Sequence, residues 1–115
     1  MVNLLKETEE ILKRNNYTLD DIEWVGTSLH YIDKEEFIKL ADTTYDNGYG
    51  GQEIAENLIL VGKDFWLERH EYDGSEWWEF KKLPKKPTEK LEVNTLFNYW
   101  GSLEKANNES NRFIK

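Results

Sequence analysis

The stretch FWLERHEYDGSEWWEF, Phe65 to Phe80, decides how this chain is read. Two aromatic-rich runs flank the dipeptide Asp73-Gly74, and Asp-Gly between such runs is the strongest short-range hairpin signal. A two-residue turn there pairs Tyr72 with Ser75. From that pair the register predicts His70 opposite Trp77, Glu68 opposite Glu79 and Trp66 opposite Lys81. On the other face Arg69 opposes Trp78, Leu67 opposes Phe80 and Phe65 opposes Lys82. Phe65, Leu67, Trp78 and Phe80 therefore form the expected core face. Arg69 stacks on Trp78 in this arrangement, a cation–π contact worth ~0.5–2 kcal/mol. The second face carries Trp66, Glu68, His70, Tyr72, Trp77 and Glu79.

Upstream, Leu58 to Val61 is a continuous apolar run that reads as a buried central strand, turned into the hairpin by Gly62-Lys63-Asp64. Ile22, Trp24 and Val25 suggest another strand. Asn3 to Asn15 has Leu4, Leu5, Ile11 and Leu12 on one stripe and reads as a helix stopped at Asn15-Asn16. Asp33 and Glu36 resemble a capping box for a short helix from Lys34 to about Thr43, with Ile32 and Phe37 as its hydrophobic staple; a strand is the competing reading, because Ile38, Leu40 and Thr44 also fit a period of two. Glu53 to Glu56 suggests a helical turn. Between them, the glycine-rich stretch TYDNGYGG (Thr44 to Gly51) reads as a tight connection. It lacks the Lys-Ser/Thr ending of a P-loop and the glycine spacing of a dinucleotide fold.

Downstream, both prolines lie in LPKKPTEK (Leu83 to Lys90), a linker that cannot continue a sheet. Val93, Leu96, Phe97, Trp100 and Leu103 then follow at helical spacing. They predict a C-terminal amphipathic helix ended by Asn107-Asn108, with Gly101 costing it about 1 kcal/mol. The expectation is one α+β domain over residues 1–115. Its antiparallel sheet has three to four strands (about 22–27, 57–62, 64–72 and 76–82), packed by N-terminal and C-terminal helices, with a frayed tail at 108–115.

Composition narrows the class. At 115 residues the chain is one domain in size. Hydrophobic content is only 38%, but aromatics reach 14%, so a few large side chains must fill the core. There is no cysteine, which excludes disulfides, thiolate metal sites and a cysteine nucleophile. The first ten residues contain no apolar core of a secretory signal, and no run approaches membrane-span length, so a cytoplasmic protein is expected. The net charge of −8 is uneven. Residues 1–80 carry 19 acidic against 7 basic side chains, a net −12, whereas residues 81–115 carry 4 against 8, a net +4. An acidic body repels phosphates, so direct nucleic-acid binding is not expected.

No residue pattern forms a catalytic signature. His30 and His70 are the only histidines, and neither sits in a nucleophile-elbow pattern. Glu68 opposite Glu79 is an unusual pair, because like charges across a sheet cost a few tenths to ~1 kcal/mol. One explanation is a raised carboxylate pKa or a ligand held by both. The other is a solvated face with Lys81 or Lys63 nearby. Glu68, His70 and Glu79 together suggest a divalent-metal or carboxylate-dependent site, and Trp66, Tyr72 and Trp77 beside the two glutamates suggest a carbohydrate platform. The competing reading is a protein interface, because Trp and Tyr concentrate binding energy. Tyr45 and Tyr49 in the glycine-rich loop join that candidate surface. Twelve net carboxylates spaced like phosphates would imitate roughly 20 Å of duplex at one charge per ~1.7 Å. Acidity that merely keeps a small protein soluble explains the same charge.

The segments FIKLADTTYDNGYGGQEIAENL and LILVGKDFWLERHEYDGSEWWEFKKLP resemble a group of short proteins encoded by phages and prophages of Gram-positive bacteria. The likeness runs from about Trp24 to Pro84 and is sharpest at ERHEYDGSEWWEF. It implies a small accessory product working in the host cytoplasm, with no catalytic residues to carry over. It also implies the behaviour of many such products, which counter host defences by binding a nuclease or regulator. The expected function is thus non-enzymatic binding of a host protein, such as a nucleic-acid-binding defence protein, as an anti-CRISPR-like or DNA-mimic inhibitor. No cofactor, metal or membrane partner is expected. The expected binding residues are Tyr45, Tyr49, Trp66, Glu68, His70, Tyr72, Trp77 and Glu79. The alternative is a small carboxylate-dependent enzyme or a metal- or carbohydrate-binding domain using Glu68, His70 and Glu79.

Overall fold

The computed structural model describes residues 1–48 and 50–107; Tyr49 and the expected frayed tail at 108–115 lie outside the described residues. Two compact units divide the chain, Met1–Leu83 and Pro84–Lys115. The first unit is a mixed helix-and-strand structure with antiparallel sheets, an α+β architecture.

Helix α1 (Leu4–Arg14) starts where the Asn3 side chain accepts from the Lys6 N–H, and ends at Asn15, after which Asn16 turns back with φ 66°. Such a left-handed residue is a common helix stop. Its buried stripe is Leu4, Thr8 and Leu12, one residue per turn. Just before it, β1 (Val2–Asn3) pairs with β4 (Thr44–Tyr45) in a two-stranded ribbon. A 3₁₀ turn at Leu19–Asp21, boxed by Thr18 and Asp21, leads into β2 (Ile22–Gly26). Strand β3 (Tyr31–Ile32) follows, then α2 (Lys34–Ala41), whose N-cap Asp33 accepts from the Glu35 N–H.

Among the described residues the main sheet has five strands rather than three or four, in the order β3-β2-β5-β6-β7. Strands β5 (Ile59–Gly62), β6 (Phe65–Tyr72) and β7 (Ser75–Lys82) form an antiparallel meander. The extra strand is β3, too short to show an alternation in sequence. Residues 53–56 form a bend and turn instead of the expected helical turn.

Register builds the core row by row. Val25, Leu60, Leu67 and Phe80 stand side by side across β2, β5, β6 and β7 on one face. The first three are fully buried, and Trp78 and Phe65 extend the same face. Tyr17 stacks on Phe65 at 4.0 Å, and Phe65 on Phe80 at 5.5 Å. The helices lie on this face, where the Trp78 indole donates to Thr8 Oγ1 (2.8 Å) and α2 contributes Phe37 and Ala41 to the core. No helix among the described residues is long and apolar enough to cross a membrane.

The expected C-terminal helix over 93–103 is not formed. Among the described residues of the second unit only 103–107 are helical. Trp100 has φ 66°, outside the helical region, immediately before Gly101. Asparagine side chains bond several of the backbone groups in this stretch. Asn107 accepts from the N–H groups of Asn94 and Thr95 and donates to the carbonyls of Thr95 and Leu103, while Asn98 donates to Ser102 O. Short polar side chains compete with helical hydrogen bonding in this way. The apolar residues with helical spacing stay exposed, Leu96 at 77% and Phe97 at 75%.

Candidate functional site

The face of the sheet opposite α1 and α2 carries most of the candidate residues. Its rows follow from the pairing. Trp24, Val61, Trp66 and Lys81 form one row, and Gly26, Ile59, Glu68 and Glu79 the next. His70 and Trp77 form a third, and Tyr72 with Ser75 closes the face at the turn. Trp66, Glu68, His70, Trp77 and Glu79 are half-buried, and Tyr72 is exposed. At the β2–β3 end, Trp24 and Tyr31 line a shallow depression of about 580 Å³ with Thr27, Ser28, Leu29 and His30.

The Glu68–Glu79 pair acquires its explanation here. Each carboxylate accepts from the indole of the tryptophan two residues earlier on its own strand. Trp66 Nε1 donates to Glu68 Oε1 at 2.7 Å, and Trp77 Nε1 donates to Glu79 Oε2 at 2.9 Å. A period of two places Trp and Glu of each Trp-x-Glu on one face. His70 Nε2 lies 2.8 Å from Glu68 Oε2, and its ring is tilted 38° against Trp77. The two strands thus repeat one device with opposite polarity, and two carboxylates end up braced side by side between two indoles.

This geometry corrects two expectations. The Glu68 pKa is lowered rather than raised, first by the Trp66 hydrogen bond and then by that of His70, with Lys81 adding a weaker charge effect. A carboxyl shifted this way stays ionised and is unsuited to act as a general acid. The metal reading also fails on geometry, because no group of three or more metal-ligating side chains is brought together among the described residues.

Tyr45 requires a third correction. It is 4% exposed, not part of a surface, and belongs to a buried polar cluster that sequence reading missed. Its hydroxyl donates to Glu7 and accepts from Arg69 Nη2 at 3.0 Å. Burial above all, then the Glu7 carboxylate, pushes its pKa up to about 12. Arg69 sits 4.7 Å from the centre of the Trp78 ring and donates to Glu76 Oε1 at 2.7 Å. Glu76, 1% exposed, also accepts from the N–H groups of Glu53 and Ile54, while its own N–H donates to Asn47 O. Glu76 therefore ties the glycine-rich connection to the hairpin, its backbone N–H holding Asn47 within the loop and its carboxylate holding residues 53 and 54 just after it. The sequence signal was available, since the hairpin register puts Glu76 on the core face next to Arg69. Tyr49, the other candidate of this loop, lies outside the described residues.

No family model, curated protein or solved structure matches this chain.

Proposed function

We propose that this chain is a small acidic accessory protein of phage type that acts without catalysis, by binding and blocking a host protein. The observation that carries this reading is the sheet face turned away from the helices, where Trp24, Trp66, Tyr72 and Trp77 alternate with Glu68 and Glu79. Trp and Tyr are the residues that concentrate binding energy in protein interfaces. The net −12 of residues 1–80 selects a basic partner and steers it in. A nucleic-acid-handling defence protein, such as a nuclease, has such a surface, and the site of action is then the host cytoplasm. The Asp-Gly hairpin is the presenting element, with its core face anchored by Arg69 and Trp78.

The test is affinity capture from the cytoplasm of a Gram-positive host, using the full chain and its Trp66→Ala and Trp77→Ala variants. The expected result is a basic nucleic-acid-handling protein held by the native chain, released as salt rises, and lost from both variants. Capture that ignores both substitutions and salt would overturn the proposal.

A further inference from the structure

We infer that Trp66, Glu68, Trp77 and Glu79 form a receptor for an arginine side chain of the partner, with the guanidinium held between the two carboxylates and against the indoles. This rests on the binding-protein reading above and specifies the chemistry its face recognises.

Three observations carry it. First, the two carboxylates face each other directly across β6 and β7, an arrangement that costs stability unless a cation relieves it. Among the described residues no lysine or arginine forms an ion pair with either of them; the partner they have is His70, whose Nε2 lies 2.8 Å from Glu68 Oε2 and leaves Glu79 without a cation of its own. Lys81 stands one row away, opposite Trp66. Secondly, each indole occupies one carboxylate oxygen, Oε1 of Glu68 and Oε2 of Glu79, and so fixes both groups in advance. Among the described residues Glu79 Oε1 has no donor, whereas Glu68 Oε2 meets His70 Nε2 at 2.8 Å. A planar fork of five N–H donors can bridge two such groups and lie against an aromatic wall at the same time.

Thirdly, the same hairpin already holds an arginine in this manner on its other face. There the Arg69 guanidinium lies 4.7 Å from the Trp78 ring centre and 2.7 Å from the Glu76 carboxylate. The outer face repeats the Trp-plus-Glu pairing twice, with no guanidinium from its own strands. The walls of the site are aromatic, and among the described residues no group of three or more His, Asp or Glu side chains is arranged to hold a metal ion, which favours an organic cation. Lysine fits less well, because its compact, strongly hydrated ammonium neither stacks nor bridges as a plane.

The experiment titrates the full chain with hexa-arginine and hexa-lysine peptides of equal charge, following the indole N–H signals of the five tryptophans by NMR. The expected result is that hexa-arginine moves the Trp66 and Trp77 signals and binds about ten-fold tighter than hexa-lysine. Glu68→Gln, Glu79→Gln and Trp77→Phe should each erode that preference. Glu36→Gln, which removes one exposed charge from α2, should preserve it. If both peptides bind equally and the glutamine variants weaken both alike, the arginine receptor is overturned while the acidic binding face survives. If neither peptide moves the two indoles, both readings fall. The unshifted signal of buried Trp78 reports that each variant is folded.

Discussion

Arg69 Nη2 donates to Glu76 Oε1 at 2.7 Å, with both side chains sealed from solvent. The pair lies on the core face of the hairpin and joins three parts of the chain: α1 through Glu7, the β1–β4 ribbon through Tyr45, and the loop before β5 through Glu53 and Ile54. Arg69 Nε and Nη1 have no hydrogen-bond partner among the described residues, so the cluster depends strongly on the bonds that it does make.

Glu76→Ala should therefore be among the most damaging single changes. Removing one member of a buried ion pair costs about 3–5 kcal/mol, because the other charge is left uncompensated. Urea unfolding should show that loss, and hydrogen exchange should speed up at Glu53 and Ile54, whose N–H groups lose their acceptor. Replacing the pair together, Arg69→Met with Glu76→Leu, should recover part of the loss.

Thr8→Val tests the link from α1 to the sheet. Shape is nearly kept, but the Trp78 indole N–H loses its acceptor at 2.8 Å inside the core. An unsatisfied buried donor costs about 1–3 kcal/mol, and thermal unfolding should register it.

Gly74→Ala tests the turn. Asp73 and Gly74 have φ 51° and 85°, both positive as a type I′ turn requires. A Cβ on Gly74 would also approach Gly50 O to 2.8 Å. The left-handed backbone alone costs an L-residue roughly 1–2 kcal/mol. Unfolding should show at least that loss, and the amide of Glu76, bonded to Asn47 O, should become less protected from exchange.

Alkaline pH should weaken the fold through Tyr45. Its pKa is raised from 10.0 to about 12, so above pH 10 the unfolded phenol releases a proton that the folded one keeps. The stabilisation is complete below pH 10 and is lost as pH rises through about 12. Tyr45→Phe should flatten the fall in stability across that window, at the cost of the bonds to Glu7 and Arg69.

Acidic pH acts on the outer face in the opposite sense. The depressed Glu68 pKa contributes stability above the ordinary 4.5, lost as pH falls through the lower folded value. The indole of Trp66 is the main cause. Carbon-detected NMR titration should place the Glu68 midpoint higher in Trp66→Phe than in the native chain, and an unchanged midpoint would remove that cause.

Much of the candidate face is legible in the residues around Asp73-Gly74, because hairpin register is local arithmetic and side chains alternate strictly. The placement of Trp66, Glu68, His70, Trp77 and Glu79 on one face, and of Arg69 against Trp78 on the other, needs no distant contact. The indole–carboxylate bonds were also implied by Trp-x-Glu spacing, but which way each carboxylate turns depends on rotamers. Tyr45 was misplaced because a tyrosine in a glycine-rich loop carries no local sign of burial. Its position follows from β4 pairing with β1 at the other end of the first unit.

The sequence by itself determined the hairpin faces, the first helix and the uneven charge, all properties of neighbouring residues. The tertiary structure alone decided where charge is tolerated inside and which amphipathic spacing becomes a helix. Glu76 is buried because Arg69 and two loop N–H groups converge on it, replacing the water it gives up. The stripe from Val93 to Trp100 stays non-helical, with the Asn107 side chain bonded to the N–H groups of Asn94 and Thr95 and to the Thr95 carbonyl. Periodicity states what a segment could bury, but only the competing partners around it settle whether it does.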